Sequence, residues 1–375
     1  MYFLKAVLLI FIFFLAGDFY AQSDELDSLK SVLLSLEEDT SKVNTLNAIA
    51  TSTYISDPDE AIKYGTEAIK LAQQIDFRAG EALAYKNIGL GNYYLGEAGE
   101  AARFWELSLQ IYEELGDDLM VVNLLSNLGA TYHVVGENVK AIEYYLNALR
   151  FAEEGADSAR LATLFINIGL VYSEMPATID TARNYYSRAI EMGESLGDIA
   201  IVGLGNMNLG ELYIEKEELD SALFYFEKSL SVLTTPFYIS AALNFIGAIY
   251  AERGDYQAAL DYRQEALEIA LKENAQRETV GILLGLASTY EEMKNHSEAV
   301  EYYQQAVSIA EQIGLNEELS GGYEGLATNY AHLQDYSNAY KYRSLQNTIS
   351  NTIYRLERED KRKDLLNNYE LEKKQ

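Results

Sequence analysis

The chain has 375 residues, of which 58 are acidic and 29 are basic, and its net charge at pH 7 is -29. An acidic excess of this size repels phosphate backbones and anionic lipid surfaces, so it argues against binding to nucleic acid or to such a membrane. The sequence contains no cysteine, which excludes disulfides and a cysteine-linked lipid anchor.

Residues 1–21 differ in composition from the rest of the chain. Lys5 precedes an uninterrupted apolar stretch at residues 6–17, and a small residue, Ala21, follows. This pattern is typical of a secretory signal peptide, and we predict cleavage after Ala21. The stretch is about a dozen residues long, shorter than the ~20 that a membrane-spanning helix needs. We therefore expect an exported, periplasmic protein, tethered to the inner membrane only through an uncleaved N-terminus or a segment beyond Gln375.

Residues 22–42 are predicted to form an N-terminal helix, and residues 43–345 then repeat one pattern about every 40 residues. A small residue recurs at Ala50, Gly89, Gly129, Gly169, Gly210, Gly247, Ala287 and Ala327. A second small residue follows about twelve positions later, and an aromatic three positions beyond it, at Tyr64, Phe104, Tyr144, Tyr185, Tyr225, Tyr262, Tyr302 and Tyr342. These spacings predict eight copies of two amphipathic helices that touch at the small residues, with each aromatic filling the gap toward the next copy.

Helix breakers support this assignment. The three prolines, Pro58, Pro176 and Pro236, fall between predicted helices, where a missing N–H does no harm. Asp57 is a predicted N-cap before Pro58. The pairs Gly116-Asp117 and Gly197-Asp198 are each predicted to end one helix and to cap the next.

Two copies carry a complete motif of small residue, tyrosine, glycine, alanine, aromatic and alanine. The third copy has Gly129, Tyr132, Gly136, Ala141, Tyr144 and Ala148, and the sixth has Gly247, Tyr250, Gly254, Ala259, Tyr262 and Ala266. By these residues the chain resembles the tetratricopeptide repeat (TPR) family. The resemblance implies an all-α, right-handed superhelical solenoid of about eight helix-turn-helix TPR units. The period of about 40 exceeds the usual ~34, which implies longer helices.

An asparagine lies near the first small residue in each of the first five copies, at Asn47, Asn87, Asn127, Asn167 and Asn208. In the family that the chain resembles, first helices line a concave groove, and an asparagine there can hold a peptide backbone because its amide both donates and accepts. We therefore predict that these residues bind a ligand, with Tyr54, Tyr93 and Tyr94 adding contact area. In the alternative, each amide bonds a neighbouring helix.

The asparagine series stops after the fifth copy. Phe245, Gly285 and Gly325 occupy its place in the last three copies. The interval between the fifth and sixth copies is shorter than the others, and Thr234-Thr235-Pro236 is predicted to end a helix early. We expect a kink near Pro236 and a groove that changes character beyond it.

No residue pattern predicts catalysis, a metal site or a cofactor. His133, His296 and His332 lie far apart in the sequence, outside any metal-binding motif, and are expected to be exposed or to flank loops. The glycine pairs at Gly89-Leu90-Gly91 and Gly203-Leu204-Gly205 lie within predicted helices, which favours helix packing over phosphate binding. We expect a protein without enzymatic activity.

Residues 346–375 are predicted to form a charged C-terminal helix. Its weak apolar stripe, Ile349, Ile353 and Leu356, suits either a cap for the last copy or a parallel homodimer. The layout resembles the exported N-terminal sensor region of bacterial TPR-containing signal transducers, whose output module is a histidine kinase, a nucleotide cyclase or a helix-turn-helix regulator. This resemblance implies an extracytoplasmic protein- or peptide-binding sensor. The alternative is a free periplasmic scaffold protein of an envelope assembly.

Overall fold

The computed structural model describes residues 22–155 and 157–374, so the predicted signal peptide lies outside the described residues. Within them are seventeen α-helices, one short 3-10 turn at Pro176–Thr178 and no strand. The helices are α1 (Gln22–Leu33), α2 (Thr40–Thr53), α3 (Pro58–Gln74), α4 (Arg78–Tyr94), α5 (Ala98–Leu115), α6 (Asp118–Val134), α7 (Asn138–Glu154), α8 (Ser158–Ser173), α9 (Ile179–Leu196), α10 (Ile199–Glu215), α11 (Leu219–Leu230), α12 (Pro236–Glu252), α13 (Tyr256–Lys272), α14 (Gln276–Glu292), α15 (His296–Ile313), α16 (Asn316–His332) and α17 (Tyr336–Lys374).

Helices α2 to α17 form eight consecutive pairs, one for each predicted copy, from α2 with α3 to α16 with α17. The prediction of an all-α helical-repeat fold is confirmed. Two boundaries differ from those that the sequence predicted. Residues 34–39 separate α1 from α2 inside the predicted helix 22–42, and α17 runs through residue 346 without a break. None of the helices in the described ranges has the length and apolarity of a membrane span.

Two compact units divide the chain within α10, between Gly205 and Asn206. In the N-terminal unit, residues 22–205, apolar side chains of α2, α3 and α4 form one core cluster, which contains Val43, Leu46, Ala68, Leu71, Ala72 and Ala84. In the C-terminal unit, residues 206–374, a larger cluster runs from Leu243 to Leu326. Full burial of a large apolar side chain contributes roughly 1.5–3 kcal/mol to the free energy of unfolding. Because these clusters contain side chains from neighbouring helix pairs, each pair stabilises the next.

The predicted breakers occupy the helix ends. Asp57 accepts a hydrogen bond from the Glu60 N–H, and Pro58 is the first residue of α3. Gly116 ends α5 with a φ of 70°, which favours glycine, and Asp117 then caps α6. Pro236 begins α12, and α11 is short, with 12 residues. The early helix end is therefore observed, whereas the kink stays a prediction.

The repeated aromatics form six parallel tyrosine pairs. Each pair joins the first and second helices of one copy, with ring centroids 5.3–5.8 Å apart: Tyr132–Tyr144, Tyr172–Tyr185, Tyr213–Tyr225, Tyr250–Tyr262, Tyr290–Tyr302 and Tyr330–Tyr342. The prediction that this aromatic fills the gap toward the next copy is wrong. Its ring stacks within its own copy, because the residue one position later is the one that turns toward the helix contact.

Candidate functional site

First helices of neighbouring copies pack side by side. Helix α2 contacts α4 and α6 contacts α8 in the N-terminal unit, while α14 contacts both α12 and α16 in the C-terminal unit. We call the surface of these helices that lies away from the second helices the first-helix face. The predicted asparagine positions lie on the first helices, so their surroundings decide whether they can meet a ligand.

Asn47 and Asn87 form hydrogen bonds between neighbouring first helices. Asn47 is fully buried, and its Nδ2 donates to the backbone oxygen of Gly80 at 2.9 Å. Asn87 is 1% exposed, its Nδ2 donates to the backbone oxygen of Asn47 at 3.1 Å, and its Oδ1 accepts from Thr51 Oγ1 at 3.2 Å. These contacts link α2 to α4. For this pair the structure therefore shows the bonds to neighbouring helices that the alternative reading expected.

Asn127 and Asn167 have different surroundings. Asn127 is half-buried on α6, and Asn167 is 8% exposed on α8. Neither side-chain amide has a hydrogen-bond partner among residues 22–155 and 157–374. Asn208, in the C-terminal unit, is 7% exposed. In this series, the amides of Asn47 and Asn87 therefore form hydrogen bonds between helices. The amides of Asn127 and Asn167 form no hydrogen bond within the described part of the protein.

The predicted tyrosines form one aromatic cluster with a residue that the sequence analysis did not select. The centroid of Tyr94 lies 5.4 Å from that of Tyr54 and 5.9 Å from that of Tyr93, and Tyr93 lies 5.8 Å from Trp105. Tyr94 is 37% exposed, whereas Tyr54 is buried, and burial raises the pKa of Tyr54 to about 12. The partly exposed ring of Tyr94 is therefore held in place by packing against Tyr54 and Tyr93.

Lys86 adds a positive charge on the same helix, α4. Its side chain has no ion-pair or hydrogen-bond partner within the described ranges, and burial lowers the pKa of its ammonium group. A cation in such a site favours a ligand that supplies an oxygen acceptor.

The end of the asparagine series has a steric cause. A Cβ at Gly285 would lie 2.9 Å from Arg263 Nε, and one at Gly325 would collide with the Tyr303 ring. In the sixth copy, Phe245 occupies the asparagine position and stacks on Phe226 with centroids 5.1 Å apart. In the last two copies, side chains of the second helices, Arg263 and Tyr303, fill the space that an asparagine would need.

Those filling side chains form a series that the sequence analysis missed. They lie one position after the repeated aromatic and are buried: Trp105, Tyr145, Tyr186, Phe226, Arg263 and Tyr303. The signal was present in the sequence as a second bulky residue at the same spacing. Arg263 is the one charged residue in this series.

His296, the first residue of α15, and His332, the last residue of α16, flank loops as expected, whereas His133 is not exposed. His296 and His332 are neighbours, because the end of α16 returns to the start of α15, and their rings stack with centroids 4.3 Å apart. His133 is buried, and its Nε2 lies 3.0 Å from Glu174 Oε1. In the described ranges, no group of three or more potential metal ligands occurs. The expected absence of enzymatic activity stays a prediction.

Comparison with known families agrees with the repeat pattern. A tetratricopeptide repeat model matches residues 120–195 and 238–312, and a second such model matches residues 205–232. A model of anaphase-promoting complex subunit 5 matches residues 13–80. No curated protein matches the chain.

Solved structures of low sequence identity share the fold. The apo form of the quorum sensor NprR from B. thuringiensis is 16% identical and superposes with a TM-score of 0.65, covering 88% of this chain and 94% of that one. The Rap conjugation gene regulator of plasmid pLS20, in complex with the Phr* peptide, is 13% identical with a TM-score of 0.58 and coverages of 90% and 96%. A signal transduction ATPase with a tetratricopeptide repeat sensor, from Pyrococcus horikoshii, is 13% identical with a TM-score of 0.62 and coverages of 92% and 55%. The model matches identify tetratricopeptide repeats at residues 120–195, 205–232 and 238–312, and these structural likenesses show the same helical-repeat fold over most of the chain.

Proposed function

We propose that this chain binds a peptide, or an extended segment of a protein, on the first-helix face of residues 22–205. The observation that carries the proposal is the pair of unused amides at Asn127 and Asn167. An extended peptide presents alternating N–H and C=O groups, and a side-chain amide can bond both. Among the similar structures, one is described as a quorum sensor and another as a regulator in complex with a peptide.

Two residues of α4 also suit such a ligand. Tyr94 offers a partly exposed ring, and Lys86 offers an ammonium group without a counter-charge among the described residues. An amphipathic tyrosine provides apolar contact area, and a cation attracts peptide carbonyls and acidic side chains. The ligand would therefore contact helices α4, α6 and α8 and add the polar partners that the helices lack.

The test compares a double substitution on the first helices with a matched one on the second helices. Asn127→Ala with Asn167→Ala removes the proposed ligand contacts. Asn147→Ala with Asn184→Ala removes exposed asparagines from α7 and α9, in the same two copies. Peptides selected from a random library on the wild-type protein are then titrated by calorimetry. At about 1 kcal/mol for each amide contact, the first variant should bind roughly thirtyfold more weakly and the second like wild type. Equal affinities of all three proteins would refute the proposal.

We further propose that the protein acts outside the cytoplasm, as the sensor part of a signal-transduction protein. The support is the sequence of residues 1–21 and the layout of repeats followed by a charged helix. Sequencing the N-terminus of the protein from its native envelope should give Gln22 as the first residue. A reading frame that continues past Gln375 into an apolar segment of about 20 residues supports the sensor, whereas a stop codon there supports a free scaffold.

A further inference from the structure

The second helix of the last copy exposes a face that is covered in the copy before it. In α15, three residues on this face are buried: Val300, Tyr303 and Val307. They lie against α16, the next first helix, where a Cβ at Gly322 would be 2.6 Å from Val307 Cγ2. The equivalent residues of α17 are exposed: Tyr340, Arg343 and Asn347. Because α17 runs without a break to residue 374, no described segment returns over this face.

The exposed face continues along α17. At about 100° per residue, seven residues lie within an arc of about 80°. We call them the tyrosine stripe: Tyr336, Tyr340, Arg343, Asn347, Asn351, Tyr354 and Arg358. Its three tyrosines are 67%, 78% and 60% exposed, and none of its residues is acidic although the chain has 58 acidic residues. Exposed tyrosines in a row with arginine are typical of a protein-protein interface.

The apolar stripe that the sequence indicated lies on the opposite side of α17. Ile349 packs against the core cluster of the C-terminal unit, and Ile353 is partly buried. At Ile349 the protein's own core therefore covers this side. The tyrosine stripe is the side of α17 that remains for another chain.

The order of residues in the stripe is symmetric about Asn347. The residues four, seven and eleven positions before Asn347 are Arg343, Tyr340 and Tyr336. The residues four, seven and eleven positions after it are Asn351, Tyr354 and Arg358. In two antiparallel α17 helices that meet at Asn347, residues at equal distances from Asn347 therefore face each other. A two-fold axis at this point makes the stripe its own partner.

The facing residues are chemically matched in the antiparallel arrangement. Tyr340 faces Tyr354 of the second copy, and aromatic rings attract each other at such contacts. Tyr336 faces Arg358, which can lie over the ring as a cation, with the carboxylate of Asp335 next to it. Arg343, which is 3.5 Å from Glu324 Oε1 of its own chain, faces an uncharged asparagine.

A parallel arrangement lacks this match. It would place Arg343 opposite Arg343 and Arg358 opposite Arg358, and like charges across an interface oppose association. The charges of the stripe therefore favour the antiparallel direction.

The surroundings of the stripe leave room for a second helix. Small side chains line an open cleft beside it: Ala327, Ala331 and Ala339. At roughly 150–250 Å² for each ring, the six exposed tyrosines of two copies account for on the order of 800 Å². The arginines and asparagines bring the contact toward the ~1,000 Å² that a specific interface needs.

We propose that two copies of this chain associate through the tyrosine stripe, with their α17 helices antiparallel and Asn347 at the two-fold axis. The association concerns the C-terminal unit and does not depend on the peptide binding proposed for residues 22–205.

The first experiment measures the molar mass in solution. Sedimentation equilibrium at roughly 1–100 µM protein should give twice the mass of one chain at the upper concentrations. Tyr340→Ala with Tyr354→Ala should raise the Kd of the dimer at least about hundredfold, because four rings leave the interface. Phe224→Ala with Leu271→Ala is the control, since these side chains are 50% and 56% exposed outside the stripe, and it should keep the wild-type Kd.

Circular dichroism should show both double variants folded, because the substituted side chains are largely exposed. A wild-type protein that remains monomeric at about 100 µM would overturn the proposal. Equal weakening by the two double variants would also overturn it, because the dimer would then form elsewhere.

The second experiment determines the direction of the helices. The chain has no cysteine, so one introduced residue supplies the only thiol. Arg343→Cys and Asn351→Cys are prepared with tags of different size and treated with oxidised glutathione, separately and mixed. The antiparallel dimer should give a disulfide only between the two variants in the mixture, and adding Tyr340→Ala with Tyr354→Ala should abolish it. Disulfides within either variant alone, or none in the mixture, would refute the antiparallel arrangement.

Discussion

The side-chain Nδ2 of Asn87 donates a hydrogen bond to the backbone oxygen of Asn47 at 3.1 Å, and Asn47 in turn donates to the Gly80 oxygen. Asn47→Ala would leave the Gly80 oxygen without its partner at a buried contact. We expect the free energy of unfolding to fall by about 1–3 kcal/mol, measured by urea denaturation with circular dichroism.

Asn127→Ala is the matched control, because its amide bonds no other described residue. Its stability should stay within about 0.5 kcal/mol of wild type. Equal losses in the two variants would contradict the division of the asparagine series into structural and available amides.

Two glycines of α14 should respond oppositely to alanine. Gly285→Ala places a Cβ 2.9 Å from Arg263 Nε and 3.3 Å from Asn244 Oδ1, so we expect a loss of about 1–3 kcal/mol. Gly281→Ala meets open space and gains helix propensity, which should raise stability by up to about 1 kcal/mol. Thermal unfolding of both variants under one buffer condition checks the pair. A stabilising Gly285→Ala would contradict the close approach of Arg263 Nε and Asn244 Oδ1 to this position.

The buried aromatic series predicts a contrast between neighbouring tyrosines of α9. Tyr186 is 1% exposed and packs directly on Gly169, whereas Tyr185 is half-buried and stacks on Tyr172. Tyr186→Ala should cost about 3–5 kcal/mol, as deletion of a buried large aromatic does. Tyr185→Ala should cost clearly less. Chemical denaturation of both variants decides, and a larger loss at Tyr185 would contradict the assignment of Tyr186 to the core.

Glu211 gives the C-terminal unit a pH dependence. Burial, together with the charge of Glu215, raises the pKa of Glu211 from its ordinary 4.5 to about 8. Between these values the folded protein keeps a proton that the unfolded chain has lost, so this group lowers stability as pH rises through that window.

Glu211→Gln should remove this dependence and stabilise the protein above pH 8 by up to roughly 5 kcal/mol, since each unit of pKa difference corresponds to about 1.4 kcal/mol. Glu265→Gln, at an exposed position of α13, is the control and should leave the pH profile of the midpoint temperature unchanged. A Glu211→Gln variant that follows the wild-type profile would count against a buried carboxyl at this position.

The sequence predicted the number of helix pairs and most of the helix ends. Glycine, proline and aspartate end or cap a helix through their own backbone and side chain, so their effect does not depend on distant contacts. It assigned the gap-filling role to Tyr144 rather than Tyr145, since a helical pattern cannot tell which of two adjacent tyrosines points inward. It did not predict the stacking of His296 on His332, because their contact depends on how α16 returns beside α15. The sequence also could not predict that Arg263 has no ion-pair partner among the described residues, since this depends on which side chains the neighbouring helices place around it.

Trp105 is the only tryptophan of the chain, and it is fully buried in the N-terminal unit, 5.8 Å from Tyr93. Its indole N–H donates to the Lys86 backbone oxygen at 3.0 Å. The emission of this indole therefore reports on residues 22–205 alone, whereas ellipticity reports on all helices. Unfolding curves recorded by both signals would coincide for a single cooperative transition and separate if the two units melt independently. The protein thus carries its own optical probe for the proposed peptide-binding half.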